Sequence, residues 1–267
     1  MPPSASWLRD TGPERAVLIL LPPSESKRTG GSVRARLDLA GLRFPELASA
    51  RATTAAALVE LARSGDADSA AKSLGIPRTL VGELAANAAL FESPVMPAID
   101  RYTGVLYDAL DAASLPSEAR RHLRHTVAVH SAVFGPIGAL DRIPDYRMSA
   151  TSRLPGLRLR QLWTPAVAAA LGAVVGPVID LRSESYVALG PVPDTQQSVF
   201  VRVVAEGPDG VTRALNHFNK HTKGMLVRAF ALERPRIRSV DAFVRWATSA
   251  GLRTEYAGNH EVQLLAP

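Results

Sequence analysis

A polar cluster near the N-terminus holds the first residues whose types and spacing could do chemistry. Ser24, Glu25 and Lys27 follow an apolar run at residues 16–21 and two prolines. A short apolar run that ends at prolines predicts a buried strand, and the loop after such a strand often carries a site. The Ser24-x-x-Lys27 spacing occurs in serine acyl-transfer enzymes, but their Ser-x-Asn and Lys-Thr-Gly motifs are absent here. The cluster therefore favours a polar or phosphate-binding loop over an acyl-transfer site.

A basic segment late in the chain is the second candidate. Lys220, Lys223 and Arg228 surround Gly224, where a predicted strand gives way to a predicted helix. A glycine and free amides at the start of a helix, with cations beside them, can form a phosphate site. The alternative is an ordinary solvated basic face.

Two more segments place a tyrosine beside charged or hydroxyl side chains at the end of a predicted strand or in a loop. Such a tyrosine commonly bridges core and surface, so either segment alone has a structural interpretation. The two segments are Asp145-Tyr146-Arg147 and Ser183-Glu184-Ser185-Tyr186.

Two histidine pairs, His217 with His221 and His122 with His125, have spacings that would share one face of a helix. Basic residues surround both pairs and would oppose a metal cation. We therefore predict surface histidines and no metal site.

A short turn, Gly75-Ile76-Pro77, separates two Ala-rich stretches that read as helices. This pattern resembles the turn of helix-hairpin-helix modules, whose backbone amides bind a DNA phosphate. An ordinary connection between two helices gives the same pattern.

Composition limits the function classes. The 267 residues contain no cysteine, which excludes disulfides, thiolate catalysis and zinc–thiolate sites. Apolar runs fall short of the roughly 18 residues that span a bilayer, and no signal pattern opens the chain, so we expect a cytoplasmic protein without membrane contact. The net charge of +6, carried mostly by arginine, points toward polyanions, although arginine on ordinary surfaces gives the same composition.

The predicted elements must position these residues. Helices are predicted at 45–64, 66–90, 157–171 and 239–250, with Asp66, Pro77 and Ser239 as start signals. Strands are predicted at 126–133, 174–181, 198–205, 211–218 and 261–265, and the turn Gly207-Pro208-Asp209-Gly210 predicts an antiparallel hairpin. The fold class is α+β, with a mixed sheet flanked by helices. Residues 1–15 read as a loose N-terminal extension.

Seven segments in order resemble the YaaA family of bacterial peroxide-stress proteins, from about Val17 to the C-terminus. They lie at residues 24–27, 102–107, 133–141, 146–147, Trp163, 180–186, and Lys220 with Lys223, Gly224 and Arg228. The resemblance implies that residues 16–267 form a single compact domain with a basic cleft, a helix-hairpin-helix element and DNA-binding activity. Its motif positions imply a ligand or DNA site made of Ser24, Lys27, Arg147, Ser183, Tyr186, Lys220, Lys223 and Arg228.

Two departures from the family pattern affect acidic residues. Glu184 lies one position earlier than the family's glutamate, which on a strand would be the opposite face, and Ser149 replaces a second glutamate. Both changes predict the loss of a carboxylate from the cleft.

Two functions follow. The first is a protein that binds duplex DNA in the cleft without sequence readout. The second is an enzyme that acts there on a phosphorylated or nucleobase-like small molecule, with Lys27 or Tyr186 as the catalytic residue for proton transfer. The sequence assigns no cofactor, and the partner is either duplex DNA or an anionic small molecule.

Overall fold

The apolar run before Ser24 forms a buried central strand of a mixed sheet. The computed structural model describes residues 16–194, 197–206, 212–214, 216–258 and 260–265. The strands of this described part are β1 Leu18–Leu21, β2 Met96–Pro97, β3 Val127–Ser131, β4 Gly135–Gly138, β5 Arg142–Ile143, β6 Val178–Asp180, β7 Ser198–Glu206, β8 Thr212–Ala214, β9 Arg253–Tyr256 and β10 Glu261–Leu265. Every residue of β1, β3 and β6 is buried, as expected for central strands covered on both faces.

The main sheet has the strand order β4-β3-β1-β6-β7-β10-β9, and β8 pairs with the end of β7. Neighbouring strands from β3 to β10 are parallel, whereas β4, β8 and β9 are antiparallel to their partners. The short strands β2 and β5 form a separate ladder. The predicted mixed sheet and the predicted antiparallel pairing of residues 198–205 with the next strand are therefore confirmed.

Helices pack around this sheet to give one compact α+β body. Their bounds are α1 Ala48–Arg63, α2 Ala67–Leu74, α3 Leu84–Ala88, α4 Ala98–Arg101, α5 Val105–Leu110, α6 Ser117–Thr126, α7 Leu159–Gly172, α8 Glu184–Leu189, α9 Asn216–Glu233 and α10 Val240–Ser249, with short 3-10 helices at Pro45–Leu47, Arg78–Glu83 and Ala112–Ser114. Asp66 and Ser239 cap α2 and α10 through their side chains, as predicted. None of the helices in the described ranges is long and apolar enough to cross a membrane.

Two predicted strands are partly wrong. Within the strand predicted at 211–218, the described residues form β8 and then the start of α9 at Asn216. β6 ends at Asp180, and the stretch that resembled a longer strand begins α8 at Glu184. In both places tertiary packing overrides the local strand preference. The extension at 1–15 and the turn at 207–210 lie outside the described residues.

Three fully buried arginines hold loops together. Arg51 donates to the carbonyls of Phe134 and Pro136, and Arg101 donates to those of Gly30 and Pro94, among others. Arg182 forms an ion pair with Asp180. These cations satisfy internal acceptors, so part of the arginine content is structural and unavailable to a polyanion.

Candidate functional site

A cleft of about 1080 Å³ opens beyond the carboxyl ends of β1 and β6. The loop after β1 and the segment after β6 form two of its walls, and α9 and β7 contribute a third. The chain leaves β1 toward β3 and leaves β6 toward β7, so the strand order reverses between these two neighbours. In open parallel sheets, ligands bind at such a reversal because the loops diverge and leave a crevice.

The structure brings five of the eight predicted site residues to the cleft wall. Ser24 comes from the loop after β1, and Ser183 and Tyr186 from the start of α8. Lys220 and Lys223 come from neighbouring turns of α9. Lys27, Arg147 and Arg228 are not among the residues that line the cleft.

Lys27 lies directly beneath the loop that forms the wall. Its Nζ donates to the carbonyl oxygens of Ser24 and Glu25, each at 3.1 Å, and lies 4.0 Å from the centre of the Tyr146 ring. The amine bonds the Ser24 carbonyl rather than its hydroxyl, which does not support an acyl-transfer pair. Burial lowers the pKa of Lys27 from 10.5 to about 7, partly opposed by Asp145. Burial is the main cause of this shift, and the Arg147 charge adds to it.

Arg147 binds the same loop through Glu25. Its guanidinium pairs with Glu25 at 2.8 Å and with Glu83 at 3.1 Å. The Asn87 side chain accepts from the Arg147 N–H and donates to its carbonyl, which fixes this backbone position. With two carboxylate partners, Arg147 is positioned to hold the loop rather than to bind an anion.

Arg228 lies away from the cleft, at the junction of α9 with α5. It donates to the carbonyls of Leu110 and Asp111 and to the hydroxyl of Ser114. These bonds satisfy carbonyls at the end of α5, so the side chain has a structural use.

Gly224 is not at a helix start. It lies inside α9, where an added Cβ would come within 2.2 Å of the Leu106 carbonyl oxygen on α5. The phosphate site predicted from free amides beside Gly224 is therefore wrong, because those amides lie inside the helix. The glycine permits close packing of two helices instead.

Lys223 and Lys220 give the α9 wall its positive charge. Lys223 is only 4% exposed and lies over the Phe200 ring, with Nζ 5.7 Å from the ring centre. Burial lowers the pKa of Lys223 from 10.5 to about 8; Asp180 opposes this shift and Arg202 adds to it. Lys220 is exposed. Neither lysine forms an ion pair within the described ranges.

The other charged residues of the α8 and β7 walls are held in ion pairs. Arg202 on β7 bonds Glu184 at 3.0 Å and Glu261 at 3.0 Å. Glu184 therefore lines the cleft, and the predicted loss of its carboxylate is wrong because this residue starts a helix instead of facing away on a strand. Arg182, which also lines the cleft, forms a bidentate pair with the buried Asp180.

A buried hydroxyl network supports the floor. The Tyr146 hydroxyl lies 2.8 Å from both the Ser131 and the Tyr102 hydroxyls. Tyr107 donates to the Pro22 carbonyl at 2.7 Å, which ties the cleft loop to α5. Burial raises the pKa of Tyr186, so its phenol stays protonated near neutral pH and can donate a hydrogen bond, but it cannot serve as a base there. The residues of this network lie far apart in the sequence, so no local sequence pattern predicts it.

The remaining sequence candidates lie outside the cleft. Gly75 ends α2 in a left-handed conformation. In the turn that follows, Gly75 and Pro77 are exposed, whereas the Ile76 side chain is buried. His122 packs against Phe230 at 4.8 Å between ring centres. Among the described residues, no group of three or more His, Cys, Asp or Glu could hold a metal ion.

Comparisons with known proteins place the chain in a family. A family model described as peroxide stress protein YaaA matches residues 17–256. A UPF0246 protein of Corynebacterium glutamicum is 44% identical over 253 residues, which cover 93% of this chain and 98% of the relative. UPF0246 proteins of Corynebacterium efficiens and Streptomyces coelicolor are 41% and 40% identical, covering 90% and 80% of this chain and 95% and 82% of the relatives.

Proposed function

The chain belongs to the peroxide stress protein YaaA family, and we propose that it acts in the cytoplasm during peroxide stress by holding DNA in this cleft without reading its sequence. The observation that carries the proposal is the α9 wall. Lys220 and Lys223 face the cleft with no ion-pair partner in the described part of the chain, so their charge is available to phosphates.

The rest of the lining suits a backbone contact better than base reading. The serine hydroxyls of Ser24, Ser183 and Ser185 can donate to phosphate oxygens, as such side chains commonly do. The charged groups of Arg202 and Arg182 are already held by carboxylates, so they are not free for bidentate contact with a guanine edge.

The test compares two exposed lysines in a binding assay with labelled duplexes of two unrelated sequences at low salt. Lys220→Gln removes a charge from the cleft, whereas Lys72→Gln removes one from the exposed face of α2. We expect wild type to bind both duplexes alike, Lys220→Gln to bind both more weakly, and Lys72→Gln to match wild type. No binding by wild type would overturn the proposal, and a loss confined to Lys72→Gln would move the DNA to α2 and the turn after it.

The size of the cleft favours a second candidate, an enzyme for a phosphorylated or nucleobase-like small molecule. Its volume of about 1080 Å³ is close to the upper end of ligand pockets, about 300–1,000 Å³. Its position at the strand-order reversal is also typical of small-ligand sites. Thermal-shift screening with nucleotides and sugar phosphates tests this candidate: a stabilising compound that duplex DNA does not displace would favour it over DNA binding.

A further inference from the structure

Lysine is rare in this chain, and its placement is informative. Four of the 31 cationic residues are lysines: Lys27, Lys72, Lys220 and Lys223. Two of them line the cleft, and Lys27 bonds the backbone of the loop that forms its wall. Arginine supplies a permanent charge and cannot lose its proton in proteins, whereas a lysine amine can. The cleft thus concentrates the side chains that can become nucleophilic amines.

Lys223 has the environment of a reactive amine. The side chain is 96% buried yet reaches the cleft, and its Nζ has no hydrogen-bond acceptor within the described ranges. The nearby Asp180 carboxylate is held by Arg182, which donates to both of its oxygens. The Phe200 ring lies on one side of the amine. Nothing in the described surroundings holds the amine in its charged form through a direct bond.

The other two lysines near the cleft differ. Burial lowers the pKa of Lys27 even further, to about 7, but its amine donates to two carbonyls, which occupy its hydrogens, and Lys27 does not line the cleft. Lys220 is exposed to solvent, one turn before Lys223 on α9, and suits a phosphate contact. A ligand that reaches Lys223 and carries an anionic group has Lys220 available as a partner on the same wall.

We propose that Lys223 is a nucleophile that captures an aldehyde carried next to a phosphate, as an imine in the cleft. Two sources offer this chemistry: the ring-opened deoxyribose of an abasic nucleotide in DNA, and a free sugar phosphate. The inference rests on the proposed function, because it uses the same cleft and the same phosphate contacts.

The reaction balances without a further reagent. The neutral amine adds its lone pair to the aldehyde carbon, and the carbonyl oxygen takes a proton to give a carbinolamine. Loss of that oxygen as water leaves a carbon–nitrogen double bond, so the aldehyde and amine become an imine and one water. The lowered pKa of Lys223, about 8, leaves about a tenth of the amine neutral at pH 7, far more than for an exposed lysine.

The test uses borohydride trapping of the full-length protein. Wild type is mixed with a duplex that contains one abasic site, reduced with sodium borohydride, and digested for mass spectrometry. We expect a stable covalent adduct on Lys223, and its loss in both Lys223→Arg and Lys223→Met. Lys72→Arg is the matched control and should retain the adduct. A parallel reaction with glyceraldehyde 3-phosphate distinguishes the two sources by the mass that Lys223 gains.

The outcomes separate this inference from the proposed function. Binding of undamaged duplex without any adduct from either aldehyde would overturn the imine and leave DNA binding intact. An adduct on Lys27, Lys72 or Lys220 in place of Lys223 would also overturn it. Absence of duplex binding together with an adduct from the sugar phosphate would overturn DNA binding and keep the imine. Because the adduct is mapped in wild type, the result does not depend on the folding of any variant.

Discussion

At the scale of single residues, the buried amine of Lys223 should lower the stability of the fold that holds it. The pKa of Lys223 falls from 10.5 in the unfolded chain to about 8 in the folded protein. Between these two values the unfolded chain binds the extra proton, so stability rises with pH. Below pH 8 both states are protonated and the destabilisation is complete, at most about 3.5 kcal/mol from about 1.4 kcal/mol per pKa unit.

Lys223→Met is therefore expected to raise the free energy of unfolding at pH 7, because it removes a buried charge and keeps an unbranched side chain. The gain should shrink as the pH rises from 8 toward 10.5. Urea unfolding at pH 7 and at pH 10 measures both effects, with Lys72→Met as the exposed control. A variant that is less stable than wild type at pH 7 would show that the ammonium has a stabilising partner.

The sequence identified the lysines in and beside the cleft, but it did not predict how far the pKa of each one is shifted. Lys27 and Lys223 stood out by residue type and by their neighbours in sequence. Their protonation depends on distant groups: the Tyr146 ring above Lys27, and Phe200 and Asp180 around Lys223. Motif positions placed Arg147 and Arg228 in the predicted site, yet carboxylates and carbonyls from other segments bind them. These partners are distant in sequence, so the residues next to each arginine do not predict them.

At the scale of elements, the contact between α5 and α9 sets the geometry of the cleft. α5 follows the cleft residues Thr103 and Gly104, and α9 carries Lys220 and Lys223. The sequence predicted β1 and β3 well because buried central strands form continuous apolar runs. It missed the short helices α5 and α8, because a helix of six residues is stable only through its tertiary contacts.

Gly224→Ala should destabilise the protein, although alanine normally stabilises a helix interior by about 1 kcal/mol. The new Cβ would lie 2.2 Å from the Leu106 carbonyl oxygen, so the two helices must separate. We expect a loss of about 1–3 kcal/mol, typical of overpacking, together with weaker DNA binding. Gly172→Ala on α7 is the matched control, because its Cβ would meet Pro193 at 3.4 Å, an ordinary contact. Equal stability of the two variants in urea would contradict this account.

Arg228→Ala tests a second link between the same helices. The change removes bonds to the Leu110 and Asp111 carbonyls and to Ser114. We expect the free energy of unfolding to fall by about 1–2 kcal/mol, while the salt dependence of DNA binding stays unchanged. A reduced salt dependence would instead show that Arg228 contacts a phosphate.

At the scale of the whole molecule, the 31 lysines and arginines overstate the number of cations available to DNA. Arg51, Arg101 and Arg182 are fully buried, and Arg147 and Arg202 are each held by two carboxylates. Composition predicted an attraction to polyanions but could not separate internal cations from free ones, because that distinction depends on which carboxylates and carbonyls the fold brings close.

The salt dependence of DNA binding measures this difference. Each neutralised phosphate contributes a slope of about −0.9 to the plot of log affinity against log salt, so four contacts would give about −3.6. Lys220 and Lys223, the unpaired cations of the described cleft lining, correspond to two contacts and a slope of about −1.8. We therefore expect the affinity to fall by about tenfold between 50 and 200 mM salt, and Lys220→Gln to bring the slope to about −0.9. Titrations of one labelled duplex at several salt concentrations measure both slopes. A wild-type slope near −3.6 or steeper would mean that DNA contacts cations beyond the cleft, and an unchanged slope in Lys220→Gln would exclude this lysine from the interface.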